Sequence, residues 1–182
     1  MSKRKRGTLK KILIATDFSE DAWNATKYAI EMYRDTDCVF YLLNTYTPTK
    51  ASGSFMAEAL AGHELEDIIQ TNSMNKLKKV MDRINETFKY SNHTFKTISS
   101  FNLLVDEIKE IVKREKIDLI VTGAKGATGL EEVFMGSNTV RIIKCIKNCP
   151  VLAIPKNFQF TALSEIAFAT DFNRFYTISE LQ

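Results

Sequence analysis

Residues 118–139 read DLIVTGAKGATGLEEVFMGSNT, from Asp118 to Thr139. Leu119-Ile120-Val121 is a short, unbroken apolar run, the pattern of a strand buried on both faces. Gly123 and Gly126 fall where that strand ends, and a glycine there lets the backbone approach a ligand with no Cβ in the way. Ten residues after Gly126, Gly136-Ser137-Asn138-Thr139 opens a helix reaching about Ile146. The first amides of a helix have no internal partner, so an anion placed there meets free N–H donors and the positive end of the helix dipole. The hydroxyls of Ser137 and Thr139 can add donors. Charge-assisted contacts of about 1–3 kcal/mol each would let such a cradle hold a triphosphate. The same residues also serve ordinary turn and cap chemistry. No G-x-x-x-x-G-K-[ST] is present, and Gly123-x-x-Gly126-x-x-Gly129 is not the dinucleotide G-x-G-x-x-G.

Working outward, the chain alternates strand with helix. Lys11–Thr16 (KILIAT) is a buried strand, and Ser19-Glu20-Asp21 starts a helix with a cap and two acids in its first turn. Ala22, Trp23, Thr26, Ile30 and Tyr33 recur at helical spacing, making that helix amphipathic to about Arg34. Cys38–Thr45 is a second strand, and Thr47–Ser54 is a polar, small-residue stretch. Met56–Phe88 is largely helical with a break near Gly62, Thr94–Ser99 a third strand, and Leu103–Glu115 another helix. Val151–Ile154 (VLAI) is a last strand between Pro150 and Pro155. This order predicts right-handed βαβ units: an α/β fold with an open five-stranded parallel sheet, doubly wound, with helices on both faces. Ligands of such folds sit at the carboxyl ends of the strands, here just after Thr16, Thr45, Ser99 and Thr122.

The 182 residues are 45% hydrophobic and 26% charged, a globular balance that excludes disorder, and 7 Gly with 3 Pro exclude low complexity. Ile12-Leu13-Ile14-Ala15 is far too short for an export signal or a membrane span. A cytoplasmic location follows as the expectation, and three irregularly spaced cysteines agree with it. Cys145 and Cys149 are four apart, but the only histidines, His63 and His93, are remote, so no zinc set forms. Net charge is +3, yet residues 1–11 hold six basic groups and no acid; without them the body carries 19 basic residues against 22 acids. A basic arm on a mildly acidic body is not a nucleic-acid-binding face. No ordered nucleophile–base pair and no catalytic carboxylate pair stands out, which argues against an enzyme.

Gly123-x2-Gly126-x9-Gly136-Ser137, behind Asp118-Leu-Ile-Val-Thr and ahead of Pro150-Val-Leu-Ala-Ile, resembles the ATP-binding motif of the universal stress protein family. The opening KILIATDFS of residues 11–19 is similar to that family's first strand, and the resemblance spans residues 9–156. It implies that Ala15, Thr16 and Asp17 contact adenine and ribose, and that the Thr45 backbone meets the adenine ring. It places Thr122, Gly123, Lys125 and Gly126 at the ribose and α-phosphate, and Gly136, Ser137, Asn138 and Thr139 at the β- and γ-phosphates. Asp17 would accept hydrogen bonds from the nucleoside; otherwise it is a turn residue before the Ser19 cap. The implied cofactor is ATP, with Mg or Mn held mainly by its phosphates, and the implied chemistry is at most slow hydrolysis. The implied partner is a second copy, paired through the edge strand Val151, Leu152, Ala153 and Ile154; a dimer scaffold needing no nucleotide is the alternative. Two departures stand out. Ala15 replaces a common proline, and Ser99-Ser100-Phe101-Asn102 replaces a Gly-x-Pro turn with a bulkier turn on the crevice rim.

The segment Ala15-Thr16-Asp17-Phe18 reappears as Ala169-Thr170-Asp171-Phe172, 154 residues on. Such spacing is about one domain, as though a second copy began there. The expected organisation is a basic tail over 1–8, a universal stress protein-like domain over 9–157, and 158–182 as a linker with the first strand of a truncated second repeat.

Overall fold

A computed structural model describes residues 9–46, 62–90, 92–125, 135–165 and 167. Among the described residues five strands alternate with four helices: β1 (Lys10–Ala15), α1 (Glu20–Met32), β2 (Cys38–Tyr46), α2 (Gly62–Thr87), β3 (His93–Phe101), α3 (Leu104–Glu115), β4 (Leu119–Gly123), α4 (Ser137–Cys145) and β5 (Val151–Ile154). The sheet has the order β3-β2-β1-β4-β5, and every pairing is parallel. The strand order reverses between the neighbouring strands β1 and β4, which creates the crevice.

Alternation along β1 explains the two layers. Ile12 and Ile14 face a core with Trp23, Tyr28 and Ile30 of α1 and Leu77 and Ile84 of α2. Leu13 and Ala15 face the other way, onto Ile108 and Ile111 of α3 and Ile142 of α4. The strand is therefore buried on both sides, as its unbroken apolar run requires. Each fully buried Ile or Leu contributes roughly 1.5–3 kcal/mol.

Local signals place the helix ends. Ser19 caps α1, its hydroxyl accepting from the Ala22 amide at 3.2 Å, and Glu20 and Asp21 lie in the first turn. Lys113 and Arg114 occupy the last turn of α3, which closes on Lys116 in the left-handed region at φ 55°. Gly136 and Ile146 bracket α4 as its caps.

Two expectations need correcting. The third strand is longer than Thr94–Ser99, and Ser99-Ser100-Phe101 is not a turn. The β2–β3 ladder continues through Asn44↔Ser99, Thr45↔Ser100 and Tyr46↔Phe101. The serines keep the strand going because their hydroxyls are used: Ser99 Oγ donates to Ser73 Oγ at 2.7 Å and Ser100 Oγ to Glu107 at 2.7 Å. The chain turns at Asn102, whose side-chain oxygen accepts from the Leu103 amide at 2.8 Å. The long helix is described from Gly62; residues 47–61, with the expected helix start at Met56, lie outside the described residues, as do 1–8 and the repeated segment 169–173.

Candidate functional site

The carboxyl ends of β1, β2 and β4 and the start of α4 enclose a cleft of about 300 Å3. Ala15, Thr16 and Asp17 line it from β1, and Thr45 from β2. Thr122, Gly123 and Lys125 line it from β4, and Gly136, Ser137, Asn138 and Thr139 from α4. Residues from distant parts of the sequence thus converge because β4 pairs directly with β1. Gly126 lies outside the described residues.

The β4 end of the cleft is stapled to α4. The Gly136 amide donates to Ala124 O at 2.7 Å, and the buried Thr139 hydroxyl donates to Gly123 O at 2.8 Å. Thr139 therefore spends its proton on the protein's own backbone, whereas Ser137 and Asn138 are exposed at the helix start. Gly136 has no side chain with which to cap α4, and the first turn holds no acid. The first helical bond runs from Val140 N to Gly136 O at 3.0 Å, so the amides of Ser137, Asn138 and Thr139 precede it. This is the chemistry of an anion cradle.

Gly123 is required by close approach. A Cβ there would stand 3.1 Å from Asp21 O and 3.1 Å from Lys125 O, both backbone atoms. The missing side chain lets the first turn of α1 press onto the end of β4.

At the β1 end, Asp17 Oδ1 accepts from the Ser19 amide at 3.0 Å and from the Ser19 hydroxyl at 2.5 Å. Phe18, between them, adopts φ 67°, a strained conformation for a bulky residue. It is held by its amide's bond to Thr16 Oγ1 at 3.0 Å, by packing on the core, and by Lys76 Nζ 5.5 Å over its ring. The turn leaves Asp17 exposed on the cleft rim.

Sequence reasoning missed Asn44, Ala22 and Leu104, which also line the cleft. Asn44 matters most. Its amide donates to Thr16 O at 2.8 Å while its oxygen accepts from Ser73 Oγ at 2.8 Å, and Ser99 Oγ in turn donates to Ser73. One polar chain thus joins β3, α2, β2 and the end of β1. A polar residue inside the apolar run CVFYLLNT was the available signal.

Among the described residues that line the cleft there is no cysteine or histidine. Cys38, pushed up to about 11 by burial, begins β2 at the end opposite Thr45. Among the described residues no cluster of three His, Cys, Asp or Glu is placed to hold a metal ion, and no helix is long and apolar enough to cross a membrane.

Comparison with known proteins agrees with this architecture. Universal stress protein MJ0531 of Methanocaldococcus jannaschii is 31% identical over 152 residues, covering 81% of this chain and 82% of that one. Universal stress protein MJ0577 of the same organism is 28% identical over 155 residues, 81% of this chain and 95% of that one. The solved structure of MJ0577 superposes with a TM-score of 0.67, at 27% identity over 81% of this chain and 96% of that one. A family protein from Arabidopsis thaliana with AMP bound shares the fold at a TM-score of 0.54 and 20% identity, over 81% of this chain and 92% of that one. Residues 8–155 match the universal stress protein family as a whole, and with this sheet order and cleft the chain belongs to that family.

Proposed function

We propose that this protein is an ATP-binding regulator of the stress-response type, acting in the cytoplasm, whose nucleotide state sets its conformation or its choice of partner. The observation that carries the reading is the stapled, uncapped start of α4 facing the Gly123 end of β4 across one cleft. In this reading the amides of Ser137, Asn138 and Thr139 and the Ser137 hydroxyl take the β- and γ-phosphates. Gly123, Lys125 and Gly126 meet the α-phosphate and Thr122 the ribose, while Asp17 accepts from the nucleoside. Ala15, Thr16 and Thr45 bound the base. The residues fit the group: the amides of Ser137, Asn138 and Thr139 precede the first helical bond of α4, and its first turn offers no competing carboxylate. Mg or Mn would be held by the phosphates and water. The AMP held by the Arabidopsis relative is consistent with this class of ligand.

The test is mass spectrometry of nucleotide released from freshly purified protein, together with a thermal shift in Mg-ATP. A hundredfold excess over Kd stabilises by about 2.7 kcal/mol, a rise of roughly 5–11 °C for a domain of this size. Gly136→Val should keep the fold and lose the shift. Neither released nucleotide nor a shift, or an equal shift in Gly136→Val, overturns the reading.

A second reading draws on β5. Among the described residues it is an edge strand of the sheet and pairs only with β4, and Val151, Leu152 and Ala153 are only partly buried. An apolar edge of this kind suits pairing with a second copy, which would make the protein a dimer scaffold with or without nucleotide. Light scattering that shows a monomer at high concentration counts against it.

A further inference from the structure

Beside the nucleotide cleft lies a second hollow of about 510 Å3. The two adjoin at Thr45, Leu104 and Asn138, which line both. One side of the second hollow is the start of α3, where Leu103, Leu104 and Val105 follow one another and Leu103 is 63% exposed. Tyr46 adds an aromatic surface, its ring 5.8 Å from that of Phe101. The other side is α4, where Asn138, Arg141 and Cys145 form one stripe at helical spacing.

Two features of this hollow are unexplained by folding alone. Arg141 is exposed and makes no ion pair among the described residues. Asp106 on the far wall lies instead 3.9 Å from Lys109. Leu103 stands at the N-cap of α3, where a Ser, Thr or Asp would stabilise the helix, and it makes no side-chain cap bond. An apolar N-cap that breaks the local rule, set opposite an exposed guanidinium in one hollow, suits a ligand with both a flat apolar part and an anionic part.

We infer that the two hollows together take an adenine nucleotide that carries a second nucleoside on its terminal phosphate, a dinucleoside polyphosphate folded back so that its second base lies on the far side of Thr45 from the first. The inference rests on the nucleotide reading above. Asn138 belongs to both hollows and is the residue after Ser137, which that reading places at the terminal phosphates. A chain continuing from those phosphates crosses Asn138 and meets Arg141 one turn along α4. A guanidinium there suits phosphate oxygens, which it binds bidentately. Beyond it, a flat second base fits the open surface of Leu103, Leu104 and Tyr46. A purely aliphatic arm would use the leucines but leave Arg141 idle.

The experiment is calorimetric titration of the full chain with diadenosine tetraphosphate, ATP and coenzyme A in magnesium buffer. The tetraphosphate should bind about tenfold tighter than ATP, the worth of one charge-assisted contact. Arg141→Ala and Leu103→Ser, both at exposed positions and checked by melting, should each remove that advantage and leave ATP affinity unchanged. ATP binding with no gain for the tetraphosphate overturns the extended site alone, as does equal weakening of both ligands by Arg141→Ala. Coenzyme A binding tighter than the tetraphosphate overturns the second nucleoside. Failure of the wild-type chain to bind either nucleotide overturns the underlying nucleotide reading.

Discussion

Replacing Thr139 by valine keeps the side-chain shape and removes one hydroxyl. That hydroxyl is 3% exposed at the residue level and donates to Gly123 O at 2.8 Å. Gly123 is itself buried, and among the described residues the other side-chain donor near its carbonyl is Thr122 Oγ1, at a poor 3.4 Å. A typical net hydrogen bond is worth about 0.5–1.5 kcal/mol, and a buried acceptor left unpaired costs about 1–3 kcal/mol. Partial rescue by Thr122 puts the expected loss at about 1–2 kcal/mol, a fall in Tm of roughly 2–8 °C for a domain of this size. Thermal and urea unfolding of wild type, Thr139→Val, Thr139→Ser and Ser137→Ala measure it. Thr139→Ser should retain most of the stability, and Ser137→Ala, exposed and outside the staple, should stay within about 0.5 kcal/mol of wild type. A Thr139→Val protein that melts with wild type would show that Gly123 O does not depend on this bond, and the account of how α4 is fixed to β4 would fall.

Gly123→Ala should destabilise by about 1–3 kcal/mol, read in the same melts, because the new methyl meets backbone carbonyls of Asp21 and Lys125 that cannot swing away. Acid should act through Glu115, which the Tyr41 hydroxyl at 2.9 Å, and then Arg114, hold below the usual carboxylate range of about 4.5. Its folded-state pKa is the lower one, so its contribution is present above pH 4.5 and is lost as pH falls through the folded value. Tyr41→Phe should flatten the acid limb of the stability curve below pH 4.5, and an unchanged limb would refute the role. Maleimide should label Cys145 in the native protein and spare Cys38 and Cys149, since burial hides both and raises their thiols; labelling of all three before unfolding contradicts the core. Phe160→Ala should cost about 1–3 kcal/mol in urea unfolding, because Phe160 packs edge-on against Tyr28 at 5.3 Å and joins the α1 core.

The sheet was legible because a doubly covered parallel strand has no polar face to hide in: Ile12-Leu13-Ile14 and Ile120-Val121 could be nothing else. The glycine and serine positions of the cleft were legible for a related reason, since few roles suit glycine at the end of a strand. What stayed hidden depended on partners far along the chain. Ser99 and Ser100 look like turn residues until Ser73 and Glu107 arrive to take their hydroxyls. Asn44 looks like a flaw in an apolar strand until Thr16 and Ser73 are set on either side of it. Thr139 reads as a phosphate donor from its position alone, and only the fold shows that its proton is committed to Gly123. The path after β5 depends on a distant partner too: the Asn24 side-chain amide donates to the carbonyls of Pro155 and Phe158 at 3.3 and 3.0 Å and holds that segment over α1.

The place of β1 at the centre of the sheet also sets the order of assembly. Its pairing with β2 needs only the intervening α1, so β1, α1 and β2 can meet early. Its other edge waits for β4, which lies 107 residues away where Asp118 reaches back to the Lys11 amide. Closing a loop of that length has an entropic cost that must be met before its contacts reward it, and contacts so distant in sequence slow folding. During synthesis a strand that ends up buried on both faces therefore stands with one edge bare until β4 has left the ribosome, an interval in which a chaperone has something to hold.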